Sequence, residues 1–233
     1  MKTEFLKING IPSIIWGAKS NRVIIAVHGN MSNKADVPIK ILADEAELKG
    51  CQVLSFDLPE HGERKNENTP CKVQPAVSEL KSIMEYAKQN WKSISLFANS
   101  IGAYFSLMAY KDEKIEKALF LSPVVDMRRI IENMMKWFDV SEEKLKAEKE
   151  IPTPVGQRLY WDYYCFVKEN PVCKWNAQTF ILYGGKDDLC EKDVITGFME
   201  KFGCDLEIAE NEEHYFHTEK QLLILKNWIK EKL

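Results

Sequence analysis

Apolar residues fall along this chain in two alternating patterns. Val23-Ile24-Ile25-Ala26-Val27 is an unbroken apolar run rich in β-branched side chains. Cys51 to Phe56, Ser93 to Phe97, Ala118 to Leu121, Thr179 to Tyr183 and Asp205 to Ala209 are further short strand-like runs. Unbroken apolarity, as opposed to alternation, predicts strands covered on both faces. Between these runs the spacing changes to that of helices. Val73, Ala76, Val77, Leu80, Ile83, Met84 and Ala87 share one stripe, which predicts an amphipathic helix from about Lys72 to Gln89. Ile41, Leu42, Ala46 and Leu48 make the inner face of an earlier helix, with Asp36 as its cap, Pro38 in its first turn and Gly50 closing it. Helices are also predicted over Ile101 to Tyr110, Cys190 to Phe202 and a C-terminal stretch. The last has Thr218 and Gln221 as a capping box and Leu222, Leu225 and Ile229 buried.

Two regions depart from this alternation. At the N-terminus, Asn9-Gly10 separates Phe5 to Ile8 from Ile11 to Trp16, a hairpin signal, since both residues tolerate the positive φ of a tight turn. Pro12 suits an arm that leaves one side unpaired. From about Asp126 to Pro171 the chain reads as helical and mixed, with no clear strand, a charged run from Ser141 to Glu150, and a cluster of aromatics. The expected fold class is therefore α/β: a mostly parallel sheet flanked by helices, an N-terminal β-hairpin, and an insertion packed over one end of the sheet. Residues 1–125 and 172–233 form the core, and 126–171 the insertion.

Composition narrows the possible functions. The 233 residues suit one such domain, and 45% hydrophobic with 29% charged residues is ordinary globular composition. A formal net charge of -3 gives no electrostatic footprint for nucleic acid. Neither a signal-peptide pattern nor a bilayer-length apolar stretch is present, so no integral membrane segment is expected. The six cysteines are scattered without a C-x-x-C pair, which reads as reduced thiols in a cytoplasmic protein and not as a disulfide framework or metal site.

Sheets of this kind place their sites in loops at the carboxyl ends of the strands. The polar groups there suit one reaction. Phe97-Ala98-Asn99-Ser100-Ile101-Gly102 is a strand, a serine at a sharp turn, and a helix opening, with small residues on either side of Ser100. A serine hydroxyl needs a base within hydrogen-bond reach, and histidine serves near neutral pH. The histidine needs a carboxylate on its other nitrogen, and the reaction needs N–H donors for a developing oxyanion. His28-Gly29-Asn30, Asp187-Asp188 and His214 with His217 occupy the remaining loops.

In this order the chain resembles the α/β-hydrolase-fold serine hydrolases over almost its whole length. His28-Gly29 resembles that family's oxyanion loop. Asp57-Leu58-Pro59-Glu60-His61-Gly62 resembles its D-x-P-G-H-G turn, with Glu60 in place of a glycine. Ala98 stands where the first glycine of the serine elbow usually does. Gly184-Gly185-Lys186-Asp187 resembles the acid turn, and His214-Tyr215-Phe216 the histidine loop before the last helix. The resemblance implies Ser100 as nucleophile, His214 as base and then acid, Asp187 as orienting carboxylate, and the N–H groups of Asn30 and Ile101 as the oxyanion hole. Asp188 and Asp126 compete with Asp187, and His217 with His214. His28 and His61 read as braces for their loops. The insertion stands where many relatives carry a helical cap, and Met31, Trp137, Tyr160, Trp161 and Tyr164 are candidate pocket residues. The expected reaction is hydrolysis of a small or medium apolar carboxylic ester, with no cofactor and no metal. The same triad on a thioester, amide, peptide or carbon–carbon bond, or a non-catalytic ligand-binding protein, are the alternatives. The expected partner is a small molecule, and oligomeric state is left open.

Overall fold

The computed structural model describes residues 1–233. Strands β1 (Thr3–Ile8) and β2 (Ile11–Trp16) form the N-terminal hairpin, turning at Asn9 and Gly10 with φ of 49° and 87°. The α/β repeat then runs β3 (Arg22–Val27), α1 (Val37–Leu48), β4 (Gln52–Phe56), α2 (Val73–Asn90), β5 (Ser93–Asn99), α3 (Ile101–Ala109) and β6 (Lys117–Leu121). Next come α4 (Met127–Trp137), α5 (Glu142–Glu148), the short strands β7 (Glu150–Pro152) and β8 (Arg158–Tyr160), and α6 (Trp161–Glu169). The repeat resumes with β9 (Gln178–Gly184), α7 (Lys192–Phe202), β10 (Asp205–Ala209) and α8 (Glu219–Lys232).

The main sheet has eight strands in the order β1-β2-β4-β3-β5-β6-β9-β10. β1 pairs antiparallel with β2 and β2 with β4, and every other pairing is parallel. Antiparallel pairing is confined to the edge that the hairpin adds. Strands β3 and β4 are buried on both sides, as their apolar runs require, whereas Asp205–Ala209, at the edge as β10, is exposed or half-buried throughout. One apolar layer joins Ile24, Ala26, Val53, Phe97 and Leu119 to α1 and α8. The other joins Val27, Leu54, Leu96 and Phe120 to α2, α3, α7 and the insertion. Each fully buried Leu or Phe in these layers stabilises the fold by roughly 1.5–3 kcal/mol over its exposed state.

Helix α2 buries Val73, Ala76, Leu80, Ile83, Met84 and Ala87, the expected stripe. Helix α1 departs from expectation. It buries Ile39, Leu42, Ala43 and Ala46, leaves Ile41 half-buried, and exposes Leu48 to 78%. Its inward face therefore follows i, i+3, i+4, i+7 from Ile39. Helix α7 begins two residues after Cys190, because Leu189 and Cys190 spend their N–H groups on the preceding turn.

The segment between β6 and β9 was expected to lack strands, yet it contains an antiparallel hairpin. Glu150 pairs with Tyr160, Ile151 with Leu159 and Pro152 with Arg158, and Gly156 in the turn has φ +78°. Two prolines and very short arms hide this hairpin from a periodicity argument. No helix is long and apolar enough to cross a membrane.

Candidate active site

Ser100 stands between β5 and α3 with φ 51° and ψ -121°, a strained conformation for a residue with a side chain. The turn holds because both sides of it are tied down. The Ser100 N–H donates to Leu121 O at 3.0 Å, and its carbonyl accepts from the N–H of Val124 at 3.0 Å. Close approach of backbone depends on Gly102. A Cβ there would lie 2.5 Å from the His28 carbonyl oxygen and 2.7 Å from that of Val27. Ala98, the departure from the usual glycine, is fully buried and pairs with Val27 and Phe120 across the sheet.

Asp187 lies three residues beyond the end of β9 and His214 in the loop after β10. These loops are zipped together by backbone hydrogen bonds from Gly185 N–H to Ala209 O (2.8 Å) and Lys186 N–H to Glu212 O (2.9 Å). Contact this close excludes side chains. A Cβ on Gly184 would lie 2.3 Å from Glu213 O, and one on Gly185 2.6 Å from Glu210 O. The Asp187 side chain is fully buried, and its Oδ1 accepts from the N–H groups of Leu189 (2.9 Å) and Cys190 (2.8 Å). Its Oδ2 lies 2.6 Å from His214 Nδ1, and His214 Nε2 lies 2.9 Å from Ser100 Oγ. The carboxylate, both ring nitrogens and the hydroxyl thus form one continuous chain.

The competing residues lie elsewhere. Asp188 is exposed. Asp126 caps α4, accepting from the Arg129 N–H at 3.1 Å. His217 is exposed, stacks on Tyr215 and bonds the Tyr215 carbonyl through Nδ1.

The loop after β3 faces the serine. His28 Nδ1 is 2.7 Å from Gly29 O, and its Nε2 accepts from the Leu58 N–H at 3.0 Å. Burial lowers the His28 pKa from 6.5 to about 4, so the ring is neutral and its tautomer fixed. His61 Nε2 accepts from the Met31 N–H at 3.1 Å, while its Nδ1 is 2.7 Å from Pro59 O. Both histidines brace loops, as expected. A further brace went unread in the sequence. The buried Asp57 carboxylate accepts from the Lys34 N–H (2.8 Å), the Lys34 ammonium (2.6 Å) and the Glu63 N–H (3.0 Å). Burial alone would lower the Lys34 pKa, but the hydrogen bonds to Asp57 and Glu63 outweigh it and hold it above its ordinary value. Position 62 admits only glycine, because a Cβ there would meet the Asp57 carboxylate at 2.2 Å. Held this way, Asn30 presents an N–H that no protein backbone acceptor takes. The Ile101 N–H, at the first turn of α3, has no intrahelical acceptor either.

A cavity of about 600 Å³ opens beside Ser100. Its apolar wall is Met127, Ile130, Ile131 and Met134 of α4, with Val124 and Leu189. Asn30 and Met31, Leu159 and Tyr160 of β8, and Tyr163 of α6 also line the chamber around Ser100 and Ile101, and Glu60, Lys65 and Arg158 add a charged side. Of the candidate pocket residues, Met31 and Tyr160 line this cavity. Trp137, Trp161 and Tyr164 do not line it, and the helix period explains why. Trp137 ends α4 and is 54% exposed. Trp161 faces a neighbouring polar cleft with Lys72 and Asp162. Tyr164 is turned outward from the chamber, its hydroxyl near Glu132 and Glu142. Met127, Ile130, Ile131 and Met134 stand at helical spacing in the sequence, so the signal was present but masked by the more conspicuous aromatics.

No family profile matches the chain, and no curated protein matches it in sequence. Solved structures do. The chain is similar to Est1E from Butyrivibrio proteoclasticus, solved with ferulic acid bound (TM-score 0.80, 17% identity, 98% of this chain and 97% of that one). It is similar to mouse alpha/beta hydrolase domain-containing protein 10 (TM-score 0.80, 14% identity, 100% and 98%). It is also similar to the Pyrococcus furiosus esterase Pf2001 (TM-score 0.70, 17% identity, 99% and 88%). Matches that span whole chains at such low identity speak for the architecture, and by its strand order and these likenesses the chain has the α/β-hydrolase fold.

Proposed function

We propose that the protein is a serine hydrolase that cleaves carboxylic esters through Ser100, His214 and Asp187. The observation that carries this reading is the continuous chain from Asp187 Oδ2 to His214 Nδ1 (2.6 Å) and from His214 Nε2 to Ser100 Oγ (2.9 Å). Ser100 Oγ attacks the ester carbonyl as His214 Nε2 takes its proton. Asp187 keeps the Nδ1 proton on the ring and stabilises the imidazolium. The N–H groups of Asn30 and Ile101 receive the oxyanion, and the positive end of α3 favours it. His214 then protonates the leaving alcohol. Water, deprotonated by His214 in turn, hydrolyses the acyl-enzyme.

The α4 wall favours an apolar acyl or aryl group, and the cavity of about 600 Å³ limits it to short or medium length. Ferulic acid in the Butyrivibrio protein is an aromatic acid of that size class, which supports including aryl esters. A reducing, cytoplasmic location belongs to this reading, supported by six cysteines that are all free. A fluorophosphonate probe tests the proposal. It should label the wild type and leave Ser100→Ala unlabelled, and an unlabelled wild type would refute the reading. Thioesters, amides and carbon–carbon substrates would use the same groups, so a substrate panel with matched acyl parts decides the scissile bond.

A further inference from the structure

Cys190 lies behind the Asp187 carboxylate and takes no part in the proposed relay through its side chain. Its N–H donates to Asp187 Oδ1 and its carbonyl accepts from the Tyr183 hydroxyl at 2.7 Å, which fixes its backbone. The residue is 4% exposed, and its thiol is free and makes no hydrogen bond. That sulfur, a carboxylate oxygen of Asp187 and a ring nitrogen of His214 all lie within 4.8 Å of one another. A thiolate, an imidazole and a carboxylate are a donor set that zinc takes, at about 2.0–2.3 Å from the ion. Donors around such an ion stand roughly 3.3–3.8 Å apart, so closing on one takes about an ångström of side-chain movement. Magnesium and calcium, which demand more oxygen donors, do not fit a site with one carboxylate and a sulfur.

We propose that Asp187, Cys190 and His214 form a capture site for a zinc-class divalent cation, and that capture switches the protein off by removing His214 from its relay. The loss of activity rests on the hydrolase reading, whereas the binding itself does not. On capture the thiol proton leaves to solvent as the sulfur–metal bond forms, and no electrons change hands. The imidazole stays neutral, with its proton on the nitrogen that the metal leaves free. Binding at Nδ1 breaks the contact to Asp187, and binding at Nε2 consumes the lone pair that Ser100 needs. Either way the base is lost. The His214 side chain, 17% exposed, is the entry side.

The test starts from a Cys173→Ser parent, which removes the exposed thiol. Calorimetric titration with Zn²⁺ should show one site per chain, weakened at least tenfold by Cys190→Ala and likewise by Cys190→Ser, each first checked for a normal thermal melt. Co²⁺ in place of Zn²⁺ should give a thiolate-to-metal charge-transfer band in the near ultraviolet, lost in both variants. The inhibition constant of Zn²⁺ against ester hydrolysis should rise at least tenfold in both variants, each measured against its own metal-free rate. Absence of binding to the parent, or binding and inhibition unchanged in both Cys190 variants, would overturn the site. A parent that binds zinc through Cys190 but hydrolyses no ester would uphold the site and refute the hydrolase reading instead.

Discussion

At the scale of single residues, chemistry depends on which of two neighbours points inward. Asp187 and Asp188 are equivalent in charge and reach, and they differ only in direction. Asp187 is held by the N–H groups of Leu189 and Cys190 with its second oxygen on His214, while Asp188 faces solvent. Asp187→Asn should lower kcat by about 10⁴-fold, because an amide that donates to Nδ1 holds the wrong tautomer. Asp188→Asn should leave kcat within about twofold, as expected of an exposed residue away from the site. Steady-state kinetics on an activated ester separates the two, and the reverse pattern would exchange their roles. His214 and His217 were resolved by the same kind of fact: one reaches Ser100, and the other stacks on Tyr215. The serine itself was legible from its neighbours in sequence. The exact cost of its strained turn was not, since φ 51° is maintained by contacts to Leu121 and Val124, which are remote in the chain.

At the scale of elements, α4 and the glycines carry the arguments. One face of α4 lines the cavity through Met127, Ile130, Ile131 and Met134. Filling that face with Ile131→Trp should raise KM for medium-chain esters about tenfold and leave acetyl esters little changed, since a pocket contact is worth about 1–3 kcal/mol per methylene-sized difference. A chain-length series of nitrophenyl esters measures this, and a uniform loss across the series would remove α4 from the acyl pocket. Two glycines, one at the elbow and one in α7, make an opposite pair of stability predictions. Gly102→Ala drives a Cβ into two backbone carbonyls and should cost about 2 kcal/mol or more, or roughly 4–8 °C in Tm for a chain of this size. Gly197→Ala, in the interior of α7 with nothing within 4 Å of the added carbon, should be neutral or stabilise by up to about 1 kcal/mol. Thermal melts of both variants give the comparison. The helix stripes and the N-terminal hairpin were readable because they depend on local spacing. The β7–β8 hairpin was not, because its arms are three residues long and one of them carries Pro152.

At the scale of the whole molecule, a buried proton site couples to global unfolding. Burial depresses the His28 pKa from 6.5 to about 4. Above 6.5 the ring is neutral in both states, and its titration contributes nothing. Between 6.5 and 4 the unfolded chain binds a proton that the folded chain does not, so stability falls as pH falls. Over that window the loss from this group is roughly 3 kcal/mol. Urea unfolding at pH 7 and pH 4.5 should therefore show a smaller acid-dependent loss in His28→Gln than in the wild type, whatever the substitution costs at pH 7. Equal losses would mean that the ring titrates normally in the fold.

The α/β alternation, its break between β6 and β9 and the loops that carry polar residues followed from the sequence alone. Each depends on local periodicity or on a turn whose residue types are required in place. Only the tertiary structure decided which aspartate and which histidine meet Ser100, which wall of the insertion is apolar, and what braces the Asn30 loop. Those outcomes depend on contacts between residues far apart in the chain. Gly184 and Gly185 let two loops zip shut, Asp57 reaches back to Lys34, and the rotation of α4 and α6 turns the methionines and isoleucines inward and Trp161 and Tyr164 away. Spacing along a chain encodes which face of an element is apolar, but the partner that covers that face is set by packing in three dimensions.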